Sequence, residues 1–227
     1  MWPIEIIKKL KNNVMASFPI RDQKKDHLIT PENAALVIID YQPVQVNSIA
    51  SMDRQLLINN IVGLAKMAKL YNLPIILSTV NVKTGLNFET IPQLRKELKG
   101  IPSYDRTTIN AWEDVEFLKA VKETNRSKLI MTALWTEACL SFPSLDALQE
   151  GFEVYPVVDA VGGTSVAAHD AALRRIEQAG GQPVSVAQLF CELQRDWARA
   201  DTAHGFMNLF IETGGTAGIQ FSYDKAE

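Results

Sequence analysis

Two patterns of hydrophobic and polar positions alternate along the chain. Mainly apolar runs occupy 34–40, which ends in Asp40, and 73–80 and 128–134, and a weaker run occupies 153–161. Such runs are typical of parallel strands that are covered on both faces. Between and after the runs, apolar side chains recur every three or four residues, which predicts helices around Leu57 to Ala68, Val115 to Val121, Cys139 to Leu148 and Ala168 to Ala179.

Two further elements are predicted near the ends of this alternation. Residues 183–187 predict a fifth strand, and Phe190, Leu193 and Trp197 would share one face of a final helix. A long irregular stretch covers 81–114, with a short helix at 91–98, and loops of this length are usually functional. Strands that alternate with helices predict a three-layer α/β/α fold around a mostly parallel, doubly wound sheet.

The domain organisation follows from where this alternation begins and ends. We predict an N-terminal arm at 1–30, one α/β domain at 31–200 and a C-terminal extension at 201–227. The two end segments are equally compatible with partner-binding extensions and with packed tails.

Composition and charge exclude several classes of function. The chain has 227 residues, of which 47% are hydrophobic and 22% charged, and a net charge of -3 without a basic stripe, so nucleic acid is not an expected partner. No segment approaches the ~20 apolar residues of a membrane span. The start of the chain lacks a secretory apolar segment and there are only two cysteines, Cys139 and Cys191, which favours reduced thiols and a cytoplasmic location.

Metal and cofactor sites are not predicted. His27, His169 and His204 are scattered without metal-ligand spacing. The segment 162–164 suggests a strand-to-helix turn, but it lacks the lysine and the spacing of a phosphate-binding loop.

Reactive side chains stand at the carboxyl ends of two predicted strands, where open parallel sheets bind their ligands. Asp40 ends the first run, and Cys139 follows the third. Thr136 would cap the next helix, so that the helix dipole and free N–H groups of its first turn would favour a thiolate at Cys139. The alternative is that Cys139 is a small buried hydrophobe, which is how most free cysteines behave.

Asp40 also has two interpretations. It either caps the following helix or remains ionised beside a cation, because an unpaired carboxylate after seven apolar residues is costly. Lys83 and Arg106, both in the long irregular stretch, are the candidate cations.

Several segments together resemble the isochorismatase-like cysteine hydrolases, and within them the YcaC-like branch. The matching segments span about three quarters of the chain: VIIDYQ at 37–42, RTTINAW at 106–112, TEAC at 136–139, EGFEV at 150–154, VDA at 158–160 and CELQRDW at 191–197. Each segment is weak alone, whereas the combination is specific.

The resemblance implies a hydrolase with an Asp-Lys-Cys catalytic set and no metal. Asp40 matches the aspartate, which takes the thiol proton, and Cys139 matches the nucleophile. Arg106 stands at the lysine position, with Lys83 as the alternative; arginine can hold Asp40 but cannot release a proton as lysine does. The family pattern further implies a cis peptide at Leu134–Trp135 and an oxyanion hole formed by the amides of Trp135 and Cys139.

The expected reaction is hydrolysis of a small amide or other carbonyl compound through a thioester. Asn110 is expected to orient the substrate or a water molecule, and the remaining candidate substrate contacts, which are equally compatible with the core, are Tyr41, Gln42, Trp112 and Phe142. The resemblance also implies a homo-oligomer, from dimer to octamer. Two alternatives stay open: a catalytically silent oligomer, and a redox sensor in which Cys139 is oxidised to a sulfenic acid or to a disulfide with Cys191.

Overall fold

A five-stranded parallel sheet forms the centre of the molecule. The structure, a computed structural model, describes residues 21–213, 218–220 and 222–223. The strand order is β3-β2-β1-β4-β5. The strands are β1 (Ala34–Ile39), β2 (Ile75–Val80), β3 (Ser103–Arg106), β4 (Lys128–Ala133) and β5 (Glu153–Pro156).

Helices cover both faces of this sheet, which confirms the predicted three-layer, doubly wound architecture. They are α1 (Pro43–Asn47), α2 (Arg54–Leu70), α3 (Pro92–Glu97), α4 (Val115–Glu123), α5 (Ser141–Gln149), α6 (Val166–Gln178), α7 (Val186–Gln194) and α8 (Ala200–Thr213). A 3₁₀ turn (Ala111–Glu113) precedes α4, and a π-helical turn (Thr136–Leu140) precedes α5.

The central strand β1 divides the core into two apolar layers. All six of its residues are buried. Leu36 and Ile38 point into the layer formed with α2, α7 and α8, whereas Val37 and Ile39 point into the layer formed with α4, α5 and α6. Because successive strand side chains alternate between faces, a strand covered on both sides must be apolar at every position.

The register of the sheet brings three chain segments together at one edge. Ile39 at the end of β1 pairs with Ser78 of β2 and with Ala133 at the end of β4. Arg106 at the end of β3 pairs with Val80 at the end of β2. The residues that follow β1, β3 and β4 therefore meet at the carboxyl edge of the sheet.

Three sequence-based predictions of elements were wrong. β3 lies within the stretch predicted as irregular, because this edge strand is polar and only partly buried. Residues 183–187 form a single bridge, Val157 with Val184, and then enter α7, so they are not a fifth strand. The helix predicted to include Phe190, Leu193 and Trp197 corresponds to α7, which ends at Gln194 and so excludes Trp197. It ends there because Arg195 takes a positive φ of 53°.

The described parts of the two end segments pack on the domain. Ile29 is fully buried, and Asp26 of the predicted arm is held by Arg195. In the predicted C-terminal extension, α8 places Phe206 and Met207 in the core layer beside α2. The rest of the arm, 1–20, lies outside the described residues. Within the described part of the chain, no helix has the length and apolar character needed to cross a bilayer.

We expect Ile38→Ala to lower the free energy of unfolding by about 2–5 kcal/mol, because it opens a cavity in the fully buried central strand. Urea denaturation measures this change. Val44→Ala on α1 is the control, since Val44 is 48% exposed and its truncation should change stability by no more than ~0.5 kcal/mol. Equal losses in the two variants would contradict this division between core and surface.

Candidate active site

A buried ion pair joins the ends of β1 and β3. Asp40 follows β1 directly, has a positive φ of 62°, and donates its backbone N–H to the carbonyl of Ser78. Aspartate is among the residues that tolerate this left-handed conformation. Its two carboxylate oxygens accept hydrogen bonds from the two terminal nitrogens of Arg106 at 2.8 and 2.7 Å, and both side chains are fully buried.

Further contacts fix the guanidinium of Arg106. It donates to the hydroxyl of Ser78 and to the carbonyls of Thr79 and Ile109, at 3.0–3.2 Å. Burial alone would lower the pKa of Arg106, but the hydrogen bond and the charge of Asp40 outweigh burial and raise it. Arg106 therefore remains a cation and exchanges no proton.

The alternative cation, Lys83, has a different environment. Its side chain is exposed, and its backbone N–H donates to the carboxylate of Asp105 at 2.9 Å. The structure thus brings Arg106, and not Lys83, into contact with Asp40.

Cys139 lies in the π-helical turn after β4, beside this ion pair. Its exposed fraction is 8%. Burial raises the pKa of the Cys139 thiol to about 12, and the charge of Asp40 and a hydrogen bond with it act in the same direction. The charge of Arg106 and the backbone N–H of Trp135 oppose this shift without reversing it. Asp40, Arg106 and Cys139 therefore form one electrostatically coupled group.

The expectation of a thiolate stabilised at a helix start needs correction. The turn has Trp135 at its N-terminal boundary without a side-chain cap, and the hydroxyl of Thr136 bonds to His169 instead. Because burial and the neighbouring carboxylate dominate, Cys139 rests as a thiol near neutral pH.

The predicted buried helix face also differs: Phe142, Leu145 and Leu148 are only partly buried.

The backbone around Trp135 faces the sulfur atom. The Leu134–Trp135 peptide bond is cis. The N–H of Trp135 interacts with the Cys139 sulfur, whereas the N–H of Thr136 donates to the carbonyl of Gly162 at 2.9 Å. The N–H of Trp135 is thus directed toward the Cys139 sulfur.

Two residues predicted to contact the substrate are enclosed in the protein. Tyr41 is fully buried and donates its hydroxyl to the carbonyl of Ala160. Gln42 is also fully buried, and its amide bonds to both backbone groups of Val80 and to the carbonyl of Phe88. Their contacts hold the segment after β1, which leaves no surface of either side chain for a ligand.

Asn110 and Trp112 fix the loop that follows β3. Asn110 caps the 3₁₀ turn by accepting from the N–H of Trp112, and its amide donates to Asp146 at 2.6 Å. The indole N–H of Trp112 donates to Glu150 of the segment after α5 at 2.9 Å. Both side chains are more than nine-tenths buried, so these contacts position the loop that carries the Ile109 carbonyl.

Sequence reasoning missed Ser78. Its hydroxyl accepts from Arg106 and donates to the carbonyl of Tyr104, so it supports the cation from inside β2. The available signal was a pair of polar residues, Ser78 and Thr79, inside an otherwise apolar strand.

Among the described residues, the histidines, cysteines and carboxylates form no group of three that could hold a metal ion.

Comparison with known proteins identifies the family of the chain. A family model described as the Isochorismatase domain matches residues 34–188, which include Asp40, Arg106 and Cys139. The probable hydrolase YcaC of Escherichia coli is 37% identical over 166 residues, covering 73% of this chain and 79% of the relative. The chain belongs to the isochorismatase family.

Solved structures support membership of the isochorismatase family. YcaC from Escherichia coli, described as an octameric hydrolase of unknown specificity, superimposes with a TM-score of 0.82 at 33% identity, covering 90% of this chain and 100% of that one. YcaC from Pseudomonas aeruginosa, solved with hexane-2,5-diol and covalent acrylamide, has a TM-score of 0.82 at 31% identity, covering 92% and 100%. The predicted resemblance to the YcaC-like branch is thereby confirmed.

We expect Asp40→Asn to lower the pKa of the Cys139 thiol from about 12 toward its ordinary value of 9.0, because the substitution removes a neighbouring negative charge and leaves Arg106. Thiolate absorbance against pH, in a Cys191→Ser background, measures this change. The variant should also be less stable by roughly 3–5 kcal/mol, since Arg106 loses its buried counter-ion.

Asp53→Asn is the charge-matched control. Asp53 caps α2 at the surface, and asparagine caps helices equally well. It should leave the Cys139 titration unchanged. A titration of Asp40→Asn that matched the wild type would show that the carboxylate does not act on the sulfur.

Proposed function

We propose that this isochorismatase-family hydrolase uses Cys139 as a nucleophile against small amides or related carbonyl compounds, through a thioester. The observation that carries the proposal is the placement of the Cys139 thiol against a carboxylate that Arg106 holds by two hydrogen bonds. A carboxylate beside a thiol supplies the base that the nucleophile needs.

The first step is proton transfer from sulfur to Asp40. Because the resting form is a thiol, the proton leaves Cys139 as the sulfur attacks the carbonyl carbon. The charge then moves from the carboxylate to the substrate oxygen, so the site does not have to hold two adjacent anions. Arg106 stays charged throughout and orients Asp40.

The same carboxyl group must serve the later steps. Since Arg106 releases no proton, Asp40 gives its proton to the departing amine and afterwards takes one from the water that cleaves the thioester. The N–H groups of Trp135 and Cys139 are the proposed donors to the oxyanion. The direction of the Trp135 N–H toward the sulfur supports this assignment.

The surroundings of Cys139 favour a small, uncharged substrate. Only 8% of the residue is exposed, and it belongs to the apolar layer that contains Ala111, Trp112 and Leu140. A charged group at this position would lose hydration without a free counter-ion, because Asp40 and Arg106 already neutralise each other. The covalent acrylamide in the Pseudomonas aeruginosa relative is a compound of the proposed size and class.

The redox-sensing alternative has less support. Cys139 packs in the layer beside α4, α5 and α6, whereas Cys191 lies on α7, whose buried residues belong to the opposite layer. A disulfide between them would have to cross the sheet.

Assembly and location remain part of the proposal. Escherichia coli YcaC is octameric, and we propose that this chain also forms a homo-oligomer. Its cytoplasmic location stays a prediction from the sequence.

We expect acrylamide, used as a small amide-bearing electrophile, to modify Cys139 at neutral pH at least about tenfold faster than the exposed Cys191, because Asp40 removes the thiol proton within the site. Peptide mass spectrometry over time measures both rates in the same sample. A screen of small amides and esters should then give turnover that falls about 10³-fold or more in Cys139→Ala.

Cys191→Ser is the matched control and should retain turnover within about twofold, since Cys191 lies on the other side of the sheet. Modification confined to Cys191, or full turnover by Cys139→Ala, would refute the proposed mechanism. A complete lack of turnover with a reactive Cys139 would favour the catalytically silent alternative.

A further inference from the structure

The first two residues of the turn that carries Cys139 are held by side chains from a later part of the chain. The hydroxyl of Thr136 and Nδ1 of His169 form a hydrogen bond of 2.8 Å. Glu137 accepts from both the backbone N–H and the hydroxyl of Thr164, at 3.0 and 2.6 Å. The first contact ties the turn to α6, and the second ties it to the segment between β5 and α6.

Backbone contacts hold the same junction. The N–H of Thr136 donates to the carbonyl of Gly162, and Leu134 forms a parallel bridge with Gly162. A Cβ atom on Gly163 would lie 2.6 Å from Glu137 Oε2 and 3.1 Å from the Cβ of His169. Glycine at this position therefore lets both side chains approach the loop closely.

His169 is placed for this contact by the start of α6. Ser165 caps the helix, and the N–H of His169 donates to its carbonyl in the first turn. The ring is half-buried, and burial lowers its pKa, although the charges of Asp170 and Glu137 act against this effect. The imidazole is thus neutral near pH 7, and its Nδ1 forms a hydrogen bond with a fully buried hydroxyl.

A π-helical turn depends on such external contacts. Its hydrogen bonds join residues five apart along the chain, instead of four apart as in an α-helix. Such turns are rare, occur mostly singly and are frequent at functional sites. Thr136 precedes Cys139 by three residues, so a rotation of the turn about Thr136 would move the sulfur relative to Asp40, which is fixed by Arg106 on the other side.

We propose that His169 is a positioning residue, which holds the Thr136 hydroxyl and thereby keeps the Cys139 sulfur against Asp40. This inference rests on the proposed function of Cys139 as the nucleophile. His169 touches neither the sulfur nor the carboxylate and acts only through the turn.

The test compares the acrylamide modification rate of Cys139 in four variants. Thr136→Val and His169→Leu each remove one partner of the hydrogen bond, and the double variant removes both. His169→Asn restores a polar group near the position of Nδ1. We expect about a tenfold loss of rate in each single variant, little further loss in the double variant, and a rate within about twofold of the wild type for His169→Asn.

Cys191 gives an internal reference for the reagent, and urea denaturation shows whether each variant is folded. His27→Asn is the matched control, because His27 is an exposed histidine remote from the turn. A wild-type rate in His169→Leu, or an equal loss in His169→Leu and His169→Asn, would overturn the inference. Parallel changes at Cys139 and Cys191 with loss of cooperative unfolding would also overturn it, since they indicate a purely structural role.

An unreactive Cys139 in the wild type would instead refute the proposed function itself. The two failures are therefore distinguishable within one experiment.

Discussion

The buried pair of Asp40 and Arg106 is the interaction on which the rest of the site depends. Removing two charges from water costs several kcal/mol for each ion, and only well-formed hydrogen bonds offset that cost. Arg106 meets this requirement with two bonds to Asp40 and three to Ser78, Thr79 and Ile109. Since β2 lies between the strands that supply the two charges, the pair also fixes the carboxyl edge of the sheet.

This pair determines what the sulfur atom can do. A cation alone would lower the pKa of the Cys139 thiol and stabilise a thiolate. Here the charge of Arg106 is already neutralised by Asp40, whose effect on the thiol pKa is larger than that of Arg106. In the resting site, the Cys139 thiol keeps its proton, beside the Asp40 carboxyl group and the permanently charged Arg106. Such an arrangement suits the proposed role of Cys139 as a nucleophile that is deprotonated only as it reacts.

The positions of Asp40, Arg106 and Cys139 come from three separate parts of the chain. Asp40 is set by the left-handed turn after β1, and Arg106 by the pairing of β3 with β2. Cys139 is set by a π-helical turn that begins after a cis peptide, and this turn is tied by Thr136 to His169 of α6 and by Glu137 to Thr164 before α6. The site thus depends on contacts between loops as much as on the sheet that carries them.

The sequence by itself determined the central strands and the place of Asp40 and Cys139 at the carboxyl edge of the sheet. β1 is wholly apolar and buried on both faces, and β2 and β4 are mainly apolar and buried, which made the strand pattern clear. A carboxylate or thiol immediately beyond such a strand must lie at the carboxyl edge of the sheet, which located Asp40 and Cys139. The edge strand β3 has no such pattern because half of its surroundings are solvent or loop.

Tertiary structure alone decided the choice of cation, the protonation of the thiol and the roles of the residues around them. Arg106 and Lys83 have the same charge and lie in the same stretch that the sequence predicts as irregular, and only the register of β3 brings one of them to Asp40. The pKa of Cys139 depends on burial and on distances to two charges, which no local pattern encodes. Tyr41 and Gln42 resemble ligand contacts in sequence, yet the folded chain uses their polar groups internally, because buried polar atoms require partners wherever the fold places them.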